Sequence, residues 1–158
     1  MSTFIVAIAR CLLVLLFLPF SALDKLLNFN QAVAQASQAI AAPWLAKVLI
    51  GVGCFVEVVT SIAILTGIAD RLAACILASY CIVTSILWKP FWKAPDFRLR
   101  GNSRGRDMFW DFLKNWALAG GLFLLAFGTN AAGLQRFLDH PLSSSHPYAA
   151  FDLEKTQP

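Results

Sequence analysis

Residues 43–67 read PWLAKVLIGVGCFVEVVTSIAILTG. After Lys47 the chain runs nineteen residues to Thr66 with one charge, Glu57, near the middle. At about 1.5 Å per residue, a helix of that length crosses the roughly 30 Å hydrocarbon core of a bilayer. An ionisable group at that depth costs several kcal/mol unless it is compensated, so it marks a candidate functional position whose partner must be found. Gly53, Glu57, Thr60 and Ser61 share one side at helical spacing. Small and hydroxyl residues on one side of a membrane helix mark the side that meets other helices.

Composition agrees with a membrane setting. The chain of 158 residues is 58% apolar and 14% charged, against about 25% charge in soluble domains. Mean hydropathy is +0.66. The net charge of +4 is concentrated in one loop, so it speaks to topology and not to nucleic acid. Cys11, Cys54, Cys75 and Cys81 all fall in apolar runs without a C-x-x-C pair, as packing residues do.

Four spans are expected, at about 4–23, 44–66, 71–89 and 111–128, forming an all-α integral membrane four-helix bundle over residues 1–139. The first is broken only by Arg10 and Pro19. A signal peptide is the rival reading of that run, but bulky Phe20 stands where a cleavage site wants a small residue. Residues 24–42 are too polar to span, and are expected as a surface amphipathic helix or a re-entrant piece. Gly67 suits a helix C-cap and Asp70 an N-cap. The tail 140–158 is expected to be loose beyond Asp139.

Between Lys89 and Lys114 lie seven of the thirteen basic residues. This loop, 89–110, is either a solvated cytoplasmic loop or a docking surface for anionic headgroups or an acidic partner.

The only histidines, His140 and His146, lie in the tail. Histidine-ligated haem within the bundle and a serine triad therefore have no histidine to use. No clustered metal-ligand set, phosphate-binding glycine loop or flavin fingerprint is present, and the expectation is no metal. The polar groups at membrane depth or at its edge are Arg10, Asp24, Lys25, Glu57, Lys114 and Asn115, and these are the binding-pocket candidates. Lys25 and Lys114 also read as snorkelling residues at span ends. With the first two spans centred at one level, Arg10 and Glu57 fall within about 3 Å in depth, so an Arg10–Glu57 pair is expected. Such a pair is either a register-fixing ion pair or a proton or substrate site.

Several stretches together resemble the DoxX family of small four-helix membrane proteins. They are Phe20-Ser21-Ala22-Leu23-Asp24-Lys25-Leu26-Leu27-Asn28-Phe29 preceded by Arg10; Glu57 with Leu65-Thr66-Gly67 and Arg71-Leu72-Ala73-Ala74; Phe91-Trp92 before Pro95-Asp96; and Phe112-Leu113-Lys114-Asn115-Trp116 running on to Gly120-Gly121. Trp88-Lys89 stands where the family commonly has Phe-His. Some members resemble subunits of thiosulfate–quinone oxidoreductases, others belong to membrane complexes concerned with thiol and oxidative stress, and distant relatives act in protein assembly or export. The resemblance implies a bacterial inner-membrane subunit of a redox assembly, with no tightly bound cofactor of its own. Its pocket around Glu57, Arg10 and Lys25 would take a small anion or a quinone headgroup. Partners implied are the lipid bilayer, an oxidoreductase subunit or other membrane protein, and a second copy of the chain. The rival classes are a non-enzymatic scaffold or chaperone and a small oligomeric transporter.

Lys25, Lys47 and the seven basic residues of the long loop lie toward one side, against Arg71, Arg136 and Lys155 on the other. Nine against three favours a cytoplasmic loop with both termini outside. A C-terminal reporter that works only in the cytoplasm should therefore stay silent; a signal from it reverses the topology.

Overall fold

The computed structural model describes residues 2–37, 40 and 42–149. All regular structure among them is helical. Helix α1 (Ser2–Val14) continues through a widened turn at Leu16–Ser21 into α2 (Ala22–Leu27). A short α3 (Phe29–Ala36) follows, then α4 (Pro43–Thr66), α5 (Asp70–Trp88), α6 (Arg104–Phe127) and α7 (Ala131–Asp139). Three helical segments, Thr3–Leu27, Pro43–Thr66 and Asp70–Lys93, are long and apolar enough to cross a membrane. Helix α6 passes the same test together with α7, which turns away from it by 72°. The protein is an all-α membrane bundle with three candidate spanning segments, or four if the bent α6–α7 pair crosses as one.

Pro19 explains the widened turn. It has no N–H to donate and its ring crowds the preceding turn, so the helix opens to i→i+5 spacing rather than breaking. The N–H of Ala22 accordingly donates to Phe17 O. At Asn28 (φ −114°, ψ 37°) the chain leaves helical geometry, and α3 folds back against α4.

The core is small-residue packing. Ile64, Leu77 and Leu122 are fully buried among Ala74, Ala78, Ala119 and Ala126, with Val14 and Phe17 of the first segment closing one side. Small side chains let membrane helices approach closely where no hydrophobic drive separates core from lipid. Outward-facing Phe4, Leu12, Phe55, Val59 and Val83 are exposed, as a lipid-facing belt requires. The face of α4 carrying Gly53, Glu57, Thr60 and Ser61 is buried, in line with its sequence pattern.

One end of the bundle is tied together by a buried ion pair. Arg10 donates to Asp70 Oδ2 at 2.7 Å and to Ile64 O at 2.5 Å. Asp70 is the first residue of α5, preceded by Ala69 in a left-handed conformation, and is completely buried. It does not act as the helix cap expected of it. The tail completes the network: Ser145 donates its N–H to Asp70 Oδ1 at 2.9 Å and its hydroxyl to Oδ2 at 2.5 Å, while Arg10 donates to Ser145 Oγ at 2.6 Å. Tyr148 hydroxyl donates to Leu65 O. Gly67 (φ +78°) permits this closure, since a Cβ there would meet Pro147 Cδ at 2.8 Å. Thus residues 143–148, read from sequence as loose, are a strap across α4 and α5; residues 150–158 lie outside the described residues.

Truncation after Pro141 should strip Asp70 of two hydrogen bonds to a buried charge, each worth about 1.5–3 kcal/mol. The expected outcome is a clear fall in the thermal midpoint in detergent, with Ser145→Ala giving a smaller fall because its N–H remains. An unchanged midpoint on truncation would mean that the strap holds nothing.

Candidate functional site

The widened turn at Pro19 and the helical spacing that follows it bring Ser21 and Lys25 onto the face of the first segment that meets α4. Four residues apart, they lie one above the other. Lys25 Nζ donates to Glu57 Oε1 at 2.5 Å and to Ser21 Oγ at 2.8 Å; Ser21 hydroxyl donates to the same Glu57 oxygen at 3.1 Å. Tyr80 of α5 places its hydroxyl 3.4 Å from Lys25 Nζ. Gly53 makes room for that ring, because a Cβ would sit 2.9 Å from the Tyr80 hydroxyl.

Glu57 therefore pairs with Lys25, and Arg10 with Asp70. The expected Arg10–Glu57 pair does not form. The error lies in the register. Centring the two spans on each other assumed a common level, whereas Ser21 stands opposite Glu57. Arg10 is eleven residues before Ser21, about 16 Å along a helix. Eleven residues beyond Glu57 on the antiparallel α4 side comes Ile68, next to Asp70.

The Lys25–Glu57 pair opens on a cleft of about 800 Å³ between the first segment, α3, α4 and α5. Its walls include Phe17, Gly53, Cys81 and Leu87, with Gln31 and Gln35 contributed by α3 and Asn115 by α6. Most of its lining is apolar, with a few convergent polar groups, as in small-molecule sites. Glu57 is 3% exposed and Lys25 17%, so the carboxylate forms the floor and the ammonium its accessible edge. The second carboxylate oxygen, Glu57 Oε2, is buried without a hydrogen-bond partner among the described residues, as is Nε1 of Trp88, which also lines the cleft. A buried unpaired carboxylate oxygen is costly and calls for a donor.

The other sequence candidates divide. Asp24 lies at the rim of the cleft, where Asn28 donates to it at 2.7 Å. Asn115 lines the cleft. Lys114 does not: its side chain is 75% exposed and lies 3.6 Å from Asp111. Arg10 belongs to the strapped end. Tyr80, Trp88 and Lys89 line the cleft without having been singled out. Tyr80, one of two tyrosines in the chain, stands in the apolar run of α5, and a polar aromatic at that depth was the available signal.

The architecture and cleft define a multi-pass helical membrane protein with an intramembrane polar pocket. The DoxX family profile matches residues 5–90, more than half of the chain, and the protein belongs to the DoxX family. The matched region holds the first segment, α4 and α5, and with them Ser21, Lys25, Glu57 and Tyr80. No curated protein and no solved structure matches the chain.

Lys25→Met should leave Glu57 as a stranded charge and cost about 3–5 kcal/mol. Adding Glu57→Gln should restore much of that loss in detergent unfolding. If the two changes combine additively, the pair is not coupled.

Proposed function

We propose that this DoxX-family protein is a bacterial inner-membrane subunit of a redox assembly, and that its cleft takes the headgroup of a membrane quinone. The proposed topology places the 89–110 loop in the cytoplasm. The observation that carries the reading is the unpartnered Glu57 Oε2 at the floor of the cleft, beside the Lys25 ammonium and the Tyr80 hydroxyl. The residues present fit such a headgroup. Glu57 Oε2 is an acceptor for a ring hydroxyl, and the Tyr80 hydroxyl, which accepts from Lys25, is a donor for a ring oxygen. The apolar walls formed by Phe17, Leu49, Val52 and Leu87 suit a lipophilic ring and the start of its chain.

A bound quinone would supply the exchange of two electrons and two protons between the bilayer and a partner enzyme. The protein's own contribution is to hold and orient. Lys25 and Ser21 both saturate Glu57 Oε1, which leaves Oε2 as the one carboxylate oxygen to meet a ligand. A carboxylate held at membrane depth beside a lysine can also exchange a proton with what it binds. The electrons must pass to a redox centre on a partner, for which an oxidoreductase subunit is the proposed candidate.

Purification in mild detergent, followed by extraction and mass analysis of co-eluting lipids and proteins, tests this. Quinone should co-purify with the wild-type chain and fall at least tenfold in Glu57→Leu, while Lys114→Ala leaves it unchanged. A wild-type protein free of quinone, and unable to retain added quinone, overturns the reading and favours a scaffold.

A further inference from the structure

The 89–110 hairpin is built as a rigid surface. Phe91, in a 3₁₀ turn at Phe91–Lys93, is the hub of an aromatic cluster, with ring centroids 5.2 Å from Trp92 and Phe97, 5.0 Å from Phe109 and 5.3 Å from Phe112. Asp96 binds the start of α6: its carboxylate accepts the N–H of Arg104 at 2.8 Å and of Gly105 at 3.2 Å. Ser103 accepts the N–H of Arg106. Gly105 lets the loop backbone pass against the helix, since a Cβ there would meet Phe97 Cα at 2.8 Å. A merely solvated loop needs none of this.

What the scaffold displays is mixed cation and apolar surface. Lys93, Arg98, Arg100 and Arg104 are exposed. Interleaved with them, Trp92 is 51% exposed, Leu99 66% and Trp110 45%. Of the three local acids, Asp107 is exposed in the first turn of α6 and forms no ion pair among the described residues, leaving one free acid against these four cations. Asp96 is committed to the helix start, and Asp111 lies between Lys89 at 2.9 Å and Lys114 at 3.6 Å. The hairpin joins α5 to α6, so it sits where two spanning segments leave the bilayer. Tryptophan and leucine favour the interfacial zone, and arginines beside them meet the phosphates of the headgroup layer.

We propose that this hairpin docks on the phosphate groups of anionic phospholipids in the leaflet from which α5 and α6 emerge. The apolar side chains seat in the headgroup boundary and the guanidinium groups bind phosphate. A soluble acidic partner would match the charge but not the interleaved Trp92, Leu99 and Trp110. Each cation near an anionic surface changes partition by about fivefold.

The test places the full chain in nanodiscs of phosphatidylcholine with about one quarter phosphatidylglycerol, and measures by native mass spectrometry the lipids retained after release into detergent. Phosphatidylglycerol should be enriched severalfold over its bulk share. The triple variant Arg98→Gln, Arg100→Gln, Arg104→Gln should return to the bulk ratio, while Arg136→Gln at the other end keeps the enrichment. Should the triple variant fail to fold, salt titration of the wild type serves: enrichment should fall as ionic strength rises. Wild-type retention at the bulk ratio, enrichment that persists in the folded triple variant, or enrichment insensitive to salt each overturns the proposal. Displacement of phosphatidylglycerol by a polyglutamate peptide overturns it in favour of an acidic protein partner.

Discussion

Charge pairing at membrane depth is the constraint on which the bundle depends. A lone carboxylate or guanidinium in hydrocarbon is expensive, and nothing in lipid offers it a hydrogen bond. Four of the charges in the first three spanning segments resolve into two inward-facing pairs, Arg10–Asp70 and Lys25–Glu57. Each pair begins on the first segment and ends on α5 or α4. Their positions along the chain run in opposite order, as antiparallel neighbours require. Together they set both the register of the first segment and which of its faces turns inward. Apolar packing of alanines and leucines could tolerate a one-turn slip; two ion pairs in series cannot.

The two pairs are finished differently. The Arg10–Asp70 pair is saturated. Every Asp70 oxygen has a partner, and the tail supplies two of the hydrogen bonds through Ser145. At the Lys25–Glu57 pair one carboxylate oxygen takes two donors and the other takes none. The same chemistry, charge beside charge in a low-dielectric interior, thus closes one end and leaves the other available. Destabilisation of that kind persists where function requires it.

Most of the fold was legible because membrane helices obey a length rule and a one-sided pattern of small and polar residues. Glu57 announced itself as the single charge in nineteen residues, and the buried face of α4 follows from Gly53, Thr60 and Ser61. Partner identity was not legible. It depends on the axial offset between two helices, which hydropathy does not encode; here an offset of about eleven residues replaced one lysine by one arginine. Asp70 was hidden by its position, since an acid at a helix start ordinarily caps that helix. The strap was hidden by composition: Pro141, three serines and Pro147 look the same whether solvated or docked, and only the space left by Gly67 distinguishes them. The candidate site was partly visible, with Lys25, Glu57, Asp24 and Asn115 at the cleft but Arg10 and Lys114 outside it.

Placement of the cleft follows from the break at Asn28. Had the first segment run straight on, it would have left α4 and α5 facing lipid over Gly53 and Tyr80, with the Glu57 carboxylate shielded on one side only. Because the chain turns at Asn28 and α3 folds back against α4, Gln31 and Gln35 add a polar wall to the cleft. That wall turns a groove between two helices into a pocket. It also accounts for the polarity of residues 24–35: Asp24, Lys25, Asn28, Gln31 and Gln35 line the cleft. The polar segment that follows the first span, through α3, therefore lines the candidate site at Glu57.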